Sequence, residues 1–251
     1  MALGMFCGIP LPFHIWDEKL TSIMVVSFPL VGLVIGSLWW GIGLLLTAPS
    51  LPTMMVAAIL TLVPFFIAGF IHLDGYMDTS DALLSRRPLE DKLRILKDPN
   101  VGAFAVVMLV ILLLLQFAAI YTVVESGRYL ALLISICVIS RACSALSIFI
   151  LRHMPISNYG AMLSQNVGVG HRIFILLFGA IAIALSYFYA GVIGIIVPVA
   201  VILGFALSMR VVYREFKGVS GDLLGYSLVI GELSGLVTLA LLQGMEMNIW
   251  F

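Results

Sequence analysis

Residues 20–73 read LTSIMVVSFPLVGLVIGSLWWGIGLLLTAPSLPTMMVAAILTLVPFFIAGFIHL, a run without a single Asp, Glu, Lys or Arg. One transmembrane helix needs about 20 apolar residues, so a run of this length predicts two helices. The paired prolines of residues 49–52 should separate them, because proline lacks an N–H donor and blocks helix continuation. We therefore predict helices over residues 23–46 and 53–71.

The remaining apolar runs extend this pattern to the end of the chain. Hydrophobic residues make up 62% of the 251 residues and charged residues only 10%, whereas a soluble domain has about 25% charged residues. In lipid the backbone must satisfy its own hydrogen bonds, and long runs that do not alternate favour helices over a barrel. We predict one all-α domain over residues 1–251, a polytopic bundle of about seven transmembrane helices in a lipid bilayer. The later helices are expected at 101–124, 129–151, two within 173–209 that turn near 189–191, and 223–242.

The basic residues give this bundle an orientation. With seven helices, eleven of the 13 Lys and Arg residues lie on the side of the N-terminus, and Arg128 alone lies on the other. The positive-inside rule then makes that side, with its long polar loop 72–100, cytoplasmic. The formal net charge is zero, so no basic excess points to nucleic acid as a partner.

The segment HLDGYMDTSD, residues 72–81, carries the clearest chemical signal. Asp74, Asp78 and Asp81 are spaced i, i+4 and i+7, which puts them on one face of a helix. Like charges so placed repel one another, and a divalent cation would relieve the repulsion. Mg²⁺ prefers carboxylate oxygens and leaves coordination sites for a substrate phosphate. The alternative is a solvated acidic turn that closes the second helix.

The polar residues around this segment each have two interpretations. His72 is either a general base or an ordinary hydrogen-bonding group at the membrane interface. Arg86 and Arg87 suit a substrate phosphate, while the helical pattern that follows at 88–97 suits an amphipathic helix on lipid head groups. Asp98 lies near the start of the helix at 101–124, where it would cap that helix.

Three charged residues further along the chain also need partners. Arg141 and Glu232 lie well inside spans, where an isolated charge costs at least about 2.5–3.5 kcal/mol. We predict that these two residues pair or line one polar cavity, either to fix helix packing or to contact substrate. Asp222 opens the last helix, as a cap or as a second site for phosphate or metal.

Several of these segments resemble a known family. Residues 71–82, IHLDGYMDTSDA, and residues 96–104, LKDPNVGAF, resemble the signature of bacterial cobalamin synthases, also called adenosylcobinamide-GDP ribazoletransferases. Residues 8–12, 28–32, 140–141 and 220–225 fit the same family, so the resemblance covers nearly the whole chain. Residues 83–85 depart from the glycine-rich stretch of many members, and residues 157–160 fit loosely.

The resemblance implies a Mg²⁺-dependent phosphoryl transfer late in cobalamin biosynthesis, at the cytoplasmic face of the bacterial inner membrane. A ribose hydroxyl of α-ribazole, or of its 5′-phosphate, would attack adenosylcobinamide-GDP and release GMP. Metal binding is expected from Asp74, Asp78 and Asp81, with His72 or one of these aspartates as the base. Substrate binding is expected from a wider set: Arg86, Arg87, Lys97, Asp98, Arg141, Asp222 and Glu232. The sequence leaves open whether the protein forms a homo-oligomer.

Two other functions fit parts of the pattern. A multi-pass transporter would use the intramembrane charges Arg141 and Glu232, although the polar residues crowd one side rather than the midplane. A lipid-linked diphosphate transferase would use the same aspartate cluster on a different substrate.

Overall fold

A computed structural model describes residues 1–8, 17, 20–48, 51–154 and 168–249 of the chain. Within these ranges the regular structure is helical, apart from one isolated bridge between His153 and Val219. The predicted all-α class is confirmed. The helices in chain order are α1 (Ala2–Phe6), α2 (Thr21–Val26), α3 (Phe28–Thr47), α4 (Thr53–Ile67), α5 (Ile71–Leu84), α6 (Leu89–Ile95), α7 (Ala103–Ser126), α8 (Leu132–Ile150), α9 (Val169–Ala190), α10 (Ile193–Phe216) and α11 (Gly221–Ile249).

The long helices have the length and composition of membrane spans. In the described part of the chain, six helices are long and apolar enough to cross a bilayer: α3, α7, α8, α9, α10 and α11. The pair α4 and α5 adds a seventh crossing if it is counted as one span, although it bends by 93°. Large apolar side chains face outward along these helices, among them Leu114 and Phe188, as lipid contact requires. The polytopic helical bundle is thereby confirmed.

The first predicted helix, 23–46, is divided in two. Helix α2 ends at Val26, and α3 begins at Phe28 with Pro29 in its first turn. A proline in a continuous helix would clash with the carbonyl group four residues earlier, whereas the first turn tolerates it because the missing N–H has no partner there. The hydroxyl group of Ser27 donates to the carbonyl oxygen of Ile23 at 2.8 Å and closes α2.

The second predicted helix, 53–71, ends four residues early, because a Schellman motif stops α4 at Ile67. Gly69 and Phe70 both have positive φ, at 65° and 62°. The amide of Phe70 donates to the carbonyl oxygen of Phe65 at 2.9 Å, and that of Gly69 donates to Phe66 at 3.2 Å. The chain leaves this turn at 93° to α4 and enters α5.

The polar stretch 72–100 contains most of α5 and all of α6, which agrees with the helices expected from the spacing of the aspartates and from the pattern at 88–97. Lys92 of α6 is buried, and its ammonium group lies 2.5 Å from the carboxylate of Glu215 in α10. This ion pair turns Lys92 into the protein rather than toward lipid head groups. Helix α6 is held against the end of the bundle.

The later helices follow the prediction closely. Helix α9 ends at Ala190, inside the expected turn at 189–191, and Gly191 has a positive φ of 56°. Pro198 lies within α10 and does not divide it. At the opposite end of the bundle from α5, the amide group of Gln243 donates to the carbonyl oxygen of Arg128 at 2.6 Å.

Candidate active site

Three carboxylates lie along α5, which is not among the six apolar spans. The helix that their spacing requires is present over Ile71–Leu84. Asp74 is exposed, while Asp78 and Asp81 are half-buried. Tyr76 anchors this helix to its neighbours: its hydroxyl group donates to Met108 of α7 at 3.2 Å, and its ring stacks on Tyr226 of α11 at 5.5 Å.

A fourth carboxylate reaches this group from the far end of the sequence. Asp222 lies in the first turn of α11, and a Cβ atom built on Gly75 would be 2.8 Å from the Cα atom of Asp222. Only a glycine in α5 permits this approach of two backbones. The pKa of Asp78 is raised to about 6, first by burial and then by the charges of Asp74, Asp222 and Asp81. The four aspartates thus share one electrostatic environment.

Asp81 faces the start of α7. A Cβ atom built on Gly102, the N-cap residue of α7, would overlap the carboxylate oxygens of Asp81. The amino-terminal end of a helix carries partial positive charge, which favours an anion there. Asp81 therefore has a structural partner in the helix terminus, and the absence of a side chain at Gly102 makes room for it.

The four carboxylates lack basic partners in the described ranges. None of them forms an ion pair with another described residue. No set of three or more His, Cys, Asp or Glu side chains within the described residues is already arranged to hold a metal ion. Mg²⁺ usually takes one or two carboxylates and fills its other positions with water and substrate phosphate, so this donor set fits Mg²⁺ better than a cation that needs a complete protein cage.

His72 lies in aromatic surroundings at the start of α5. Its ring centroid is 5.8 Å from that of Phe28 and 6.5 Å from that of Phe6. Burial, followed by the charge of Arg141, lowers the pKa of His72 to about 3. A neutral imidazole with so low a pKa is a weak base, which favours Asp78 over His72 for proton abstraction.

The predicted phosphate-binding cations lie beyond the C-terminal end of α5. Arg86 and Arg87 are exposed between α5 and α6, and Lys97 is exposed after α6. Asp98 was expected to cap α7, but Gly102 is the N-cap residue of that helix. The carboxylate of Asp98 instead accepts hydrogen bonds from the amide and the side chain of Asn100, at 2.9 and 2.7 Å, and these bonds lower its pKa.

The two intramembrane charges meet, as predicted. Arg141 of α8 is 1% exposed, and its guanidinium group forms an ion pair with the carboxylate of Glu232 in α11. Ser140 donates to the same carboxylate at 2.9 Å, and Arg141 also donates to the carbonyl oxygen of Cys137 at 3.2 Å. This network joins α8 to α11 inside the bundle. Its role toward substrate stays a prediction.

Comparison with known proteins identifies the family of the chain. The family model described as cobalamin-5-phosphate synthase matches residues 1–240. The chain belongs to the cobalamin-5-phosphate synthase family. An adenosylcobinamide-GDP ribazoletransferase of Clostridium perfringens strain SM101 is 37% identical over 243 residues, covering 96% of both chains. Relatives with the same name include one from Clostridium botulinum strain Alaska E43, at 34% identity over 96% of both chains, and one from Lachnoclostridium phytofermentans, at 30% over 98% of this chain and 94% of the relative. No solved structure matches the chain.

The segments that resemble the cobalamin-5-phosphate synthase family converge in the structure. Residues 71–82 form most of α5, and residues 220–225 pack against them through Gly75 and Gly225. Residues 96–104 lead into α7, where Gly102 receives Asp81. The pair Ser140 and Arg141 contacts Glu232. Residues 9–12 and 157–160 lie outside the described ranges.

Sequence reasoning alone did not identify one residue of this region. His153 lines a cavity together with His72 and Asp222, although 80 residues separate the two histidines along the chain. Two hydrogen bonds hold its segment against the residues before α11, from Met154 to Val219 at 3.1 Å and from Val219 to Arg152 at 3.0 Å. No local pattern marks His153, because its position depends on this long-range pairing.

Proposed function

We propose that this chain joins adenosylcobinamide-GDP to α-ribazole, or to α-ribazole 5′-phosphate, and releases GMP. The membership of the cobalamin-5-phosphate synthase family and the names of the relatives support this reaction. The structural observation that carries the proposal is the approach of Asp222 to the aspartates of α5, because it gathers four carboxylates that have no basic partner among the described residues.

The reaction is a phosphoryl transfer. A ribose hydroxyl of the acceptor attacks the phosphorus atom that is linked to cobinamide, the bond from that phosphorus to the bridging oxygen breaks, and GMP leaves with that oxygen. The hydroxyl proton must pass to a base. Asp78 is the favoured acceptor of this proton, because burial and the neighbouring carboxylates raise its pKa to about 6.

Asp74 and Asp222 are proposed to hold Mg²⁺, with Asp81 completing the acidic face and Asp78 left free of the metal to act as the base. Mg²⁺ when bound supplies positive charge that neutralises the pyrophosphate and the departing GMP. Arg86 and Arg87 are proposed to bind the outer phosphate oxygens, since guanidinium groups bind phosphate in a bidentate manner. Arg141 and Glu232 would act by fixing α8 against α11.

We place the protein in the bacterial inner membrane with the aspartates toward the cytoplasm. The support is the distribution of charge, because the helix ends near α5 carry nearly all the basic residues and the opposite end carries Arg128. The substrates are large and charged, so a reaction at the cytoplasmic face would not require either of them to cross the bilayer.

The direct test is GMP release by membranes that contain the full chain. Adenosylcobinamide-GDP and α-ribazole together, with Mg²⁺, should give GMP and a cobalamin product, whereas either substrate alone should not. Treatment with EDTA should stop the reaction, and Mg²⁺ should restore it. A transporter would release no GMP, and a lipid-linked diphosphate transferase would require a lipid substrate instead of α-ribazole.

A further inference from the structure

We infer that the cavity lined by Phe6, Phe28, His72, His153 and Asp222 binds the aromatic base of the ribazole acceptor. This inference rests on the proposed function, to which it adds the location of one substrate. The cavity has a volume of about 170 Å³ and lies at the end of the bundle where α1, α3, α5 and α11 meet. We call it the base cavity below.

The size of the base cavity excludes the corrin macrocycle of the donor. An apolar cavity of about 150 Å³ holds a benzene ring, so a cavity of about 170 Å³ admits one small flat ring system with its substituents toward the opening. The corrin macrocycle of the donor is several times larger. The ring that enters must therefore be the dimethylbenzimidazole of ribazole, the guanine of the donor or the adenine of its adenosyl group.

The polarity of the base cavity favours the benzimidazole. Its walls include the apolar side chains of Met5, Ile148 and Leu224. The Nε2 atoms of His72 and His153 are buried and have no hydrogen-bond partner among the described residues. Buried polar atoms are normally hydrogen-bonded, so two unpartnered nitrogens beside the cavity indicate a ligand that brings a small number of polar groups to them. Dimethylbenzimidazole offers one free ring nitrogen and two methyl groups. Guanine or adenine would bring an amino group and several ring nitrogens against a mostly apolar lining, in which Ser144, Ser220 and Asp222 are the other polar side chains.

The aromatic side chains of the base cavity suit a flat ring. Phe6 and Phe28 both contact the ring of His72, with centroids at 6.5 and 5.8 Å. Aromatic pairs at such separations attract one another beyond the effect of burying their area. Phe6 is held in place by the end of α1, where the amide of Gly8 donates to the carbonyl oxygen of Ile67 at 2.8 Å.

The position of the base cavity agrees with the reaction. Asp222 belongs both to its lining and to the group of four aspartates. A base held between Phe6 and His153 would therefore have its ribose next to these carboxylates, where the attacking hydroxyl is needed. His153 is assigned as a binding residue whose Nε2 atom forms a hydrogen bond with α-ribazole.

The test compares His153→Phe with a matched substitution, His171→Phe, in detergent-solubilised full-length protein. His153→Phe keeps a ring of similar size but removes the nitrogen, while His171 lies at the start of α9 and does not line the base cavity. Equilibrium dialysis with labelled α-ribazole alone should show a Kd about tenfold higher for His153→Phe, the loss expected for one hydrogen bond, and no change for His171→Phe. In the GMP assay, KM for α-ribazole should rise while KM for adenosylcobinamide-GDP does not.

A second variant protects the test against misfolding. Phe6 lies in the short helix α1, so Phe6→Leu changes the wall of the base cavity without altering a long helix of the bundle. This variant should also weaken α-ribazole binding. Its thermal unfolding midpoint should stay near that of the wild type. Unchanged α-ribazole binding in both variants would overturn the inference, as would a rise in KM for the donor alone. Wild-type protein that binds α-ribazole but releases no GMP would contradict the proposed reaction and leave the base cavity standing.

Discussion

The backbone of Gly75 in α5 lies against the backbone of Asp222 in α11, so closely that a Cβ atom on Gly75 would come within 2.8 Å of the Cα atom and 2.9 Å of the carbonyl oxygen of Asp222. This contact brings together two acidic segments that are far apart in the sequence. The group of four aspartates depends on it, because this crossing brings Asp222 of α11 to the acidic face of α5.

Gly75→Ala should separate α5 from α11. The added methyl group meets backbone atoms, which cannot rotate away, so we expect a loss of about 1–3 kcal/mol in the free energy of unfolding and a strong loss of GMP release. Thermal unfolding in detergent and the GMP assay measure the two effects. Gly41→Ala is the matched control, since nothing lies within 4 Å of a Cβ atom there, and it should leave both quantities near the wild-type values. Equal behaviour of the two variants would contradict the role of the crossing.

Asp78→Asn should abolish GMP release without preventing membrane insertion. The substitution removes the central charge of the acidic group while keeping the size of the side chain, so the fold has no reason to change. Membrane fractionation and the GMP assay test the two statements. Asp91→Asn, in which the lost carboxylate lies 3.8 Å from Arg94 on α6, is the control and should keep its activity. Full activity of Asp78→Asn would remove Asp78 from the proposed site.

The pH dependence of stability should report the same carboxyl group. The folded-state pKa of Asp78 is about 6, above its ordinary value of 3.8, so folding disfavours the ionised form. This penalty is absent below about pH 4 and grows as the pH rises through 6. Without divalent cations, the thermal unfolding midpoint of the wild type should therefore fall between these pH values by more than that of Asp78→Asn. Parallel curves for the two proteins would show that ionisation of Asp78 does not destabilise the folded state. The control variant Asp91→Asn should follow the wild type.

Removing one member of the buried pair Arg141–Glu232 should cost more than removing both. Arg141→Met leaves the carboxylate of Glu232 without its cation in the bundle, an expected loss of about 3–5 kcal/mol. The double variant Arg141→Met/Glu232→Leu replaces both charges with apolar groups and should recover much of that loss. A double-mutant cycle on detergent-solubilised protein measures the coupling. Additive effects would mean that the contact does not couple the two residues energetically.

The sequence was sufficient for features that depend on local pattern or on an unavoidable cost. The uncharged runs placed the spans, because lipid admits few charges and about 20 residues cross it. The i, i+4, i+7 spacing of Asp74, Asp78 and Asp81 required a helix, and α5 is one. The pair Arg141–Glu232 was predictable because a lone charge inside a span is costly enough to need a partner.

Boundaries were harder to predict where several turn signals compete. Residues 53–71 read as one apolar helix, yet the hydrogen bonds of Phe70 and Gly69 end α4 at Ile67. Hydropathy does not register this stop, because the residues on both sides of the turn are equally apolar. Pro29 is a local signal for the break between α2 and α3, whereas the hydropathy of the uncharged run shows no break there.

The sequence by itself determined that this chain is a helical membrane protein with an acidic helix face at one end. Only the tertiary structure decided that Asp222 joins this face, that Lys92 pairs with Glu215, and that His153 reaches the cavity beside His72. The physical reason is one of range. Periodicity and hydropathy reflect the contacts of each residue with its near neighbours and with solvent. The contacts above form where helices distant in sequence cross. A glycine that permits such a crossing does not alter the hydrophobic periodicity of its helix.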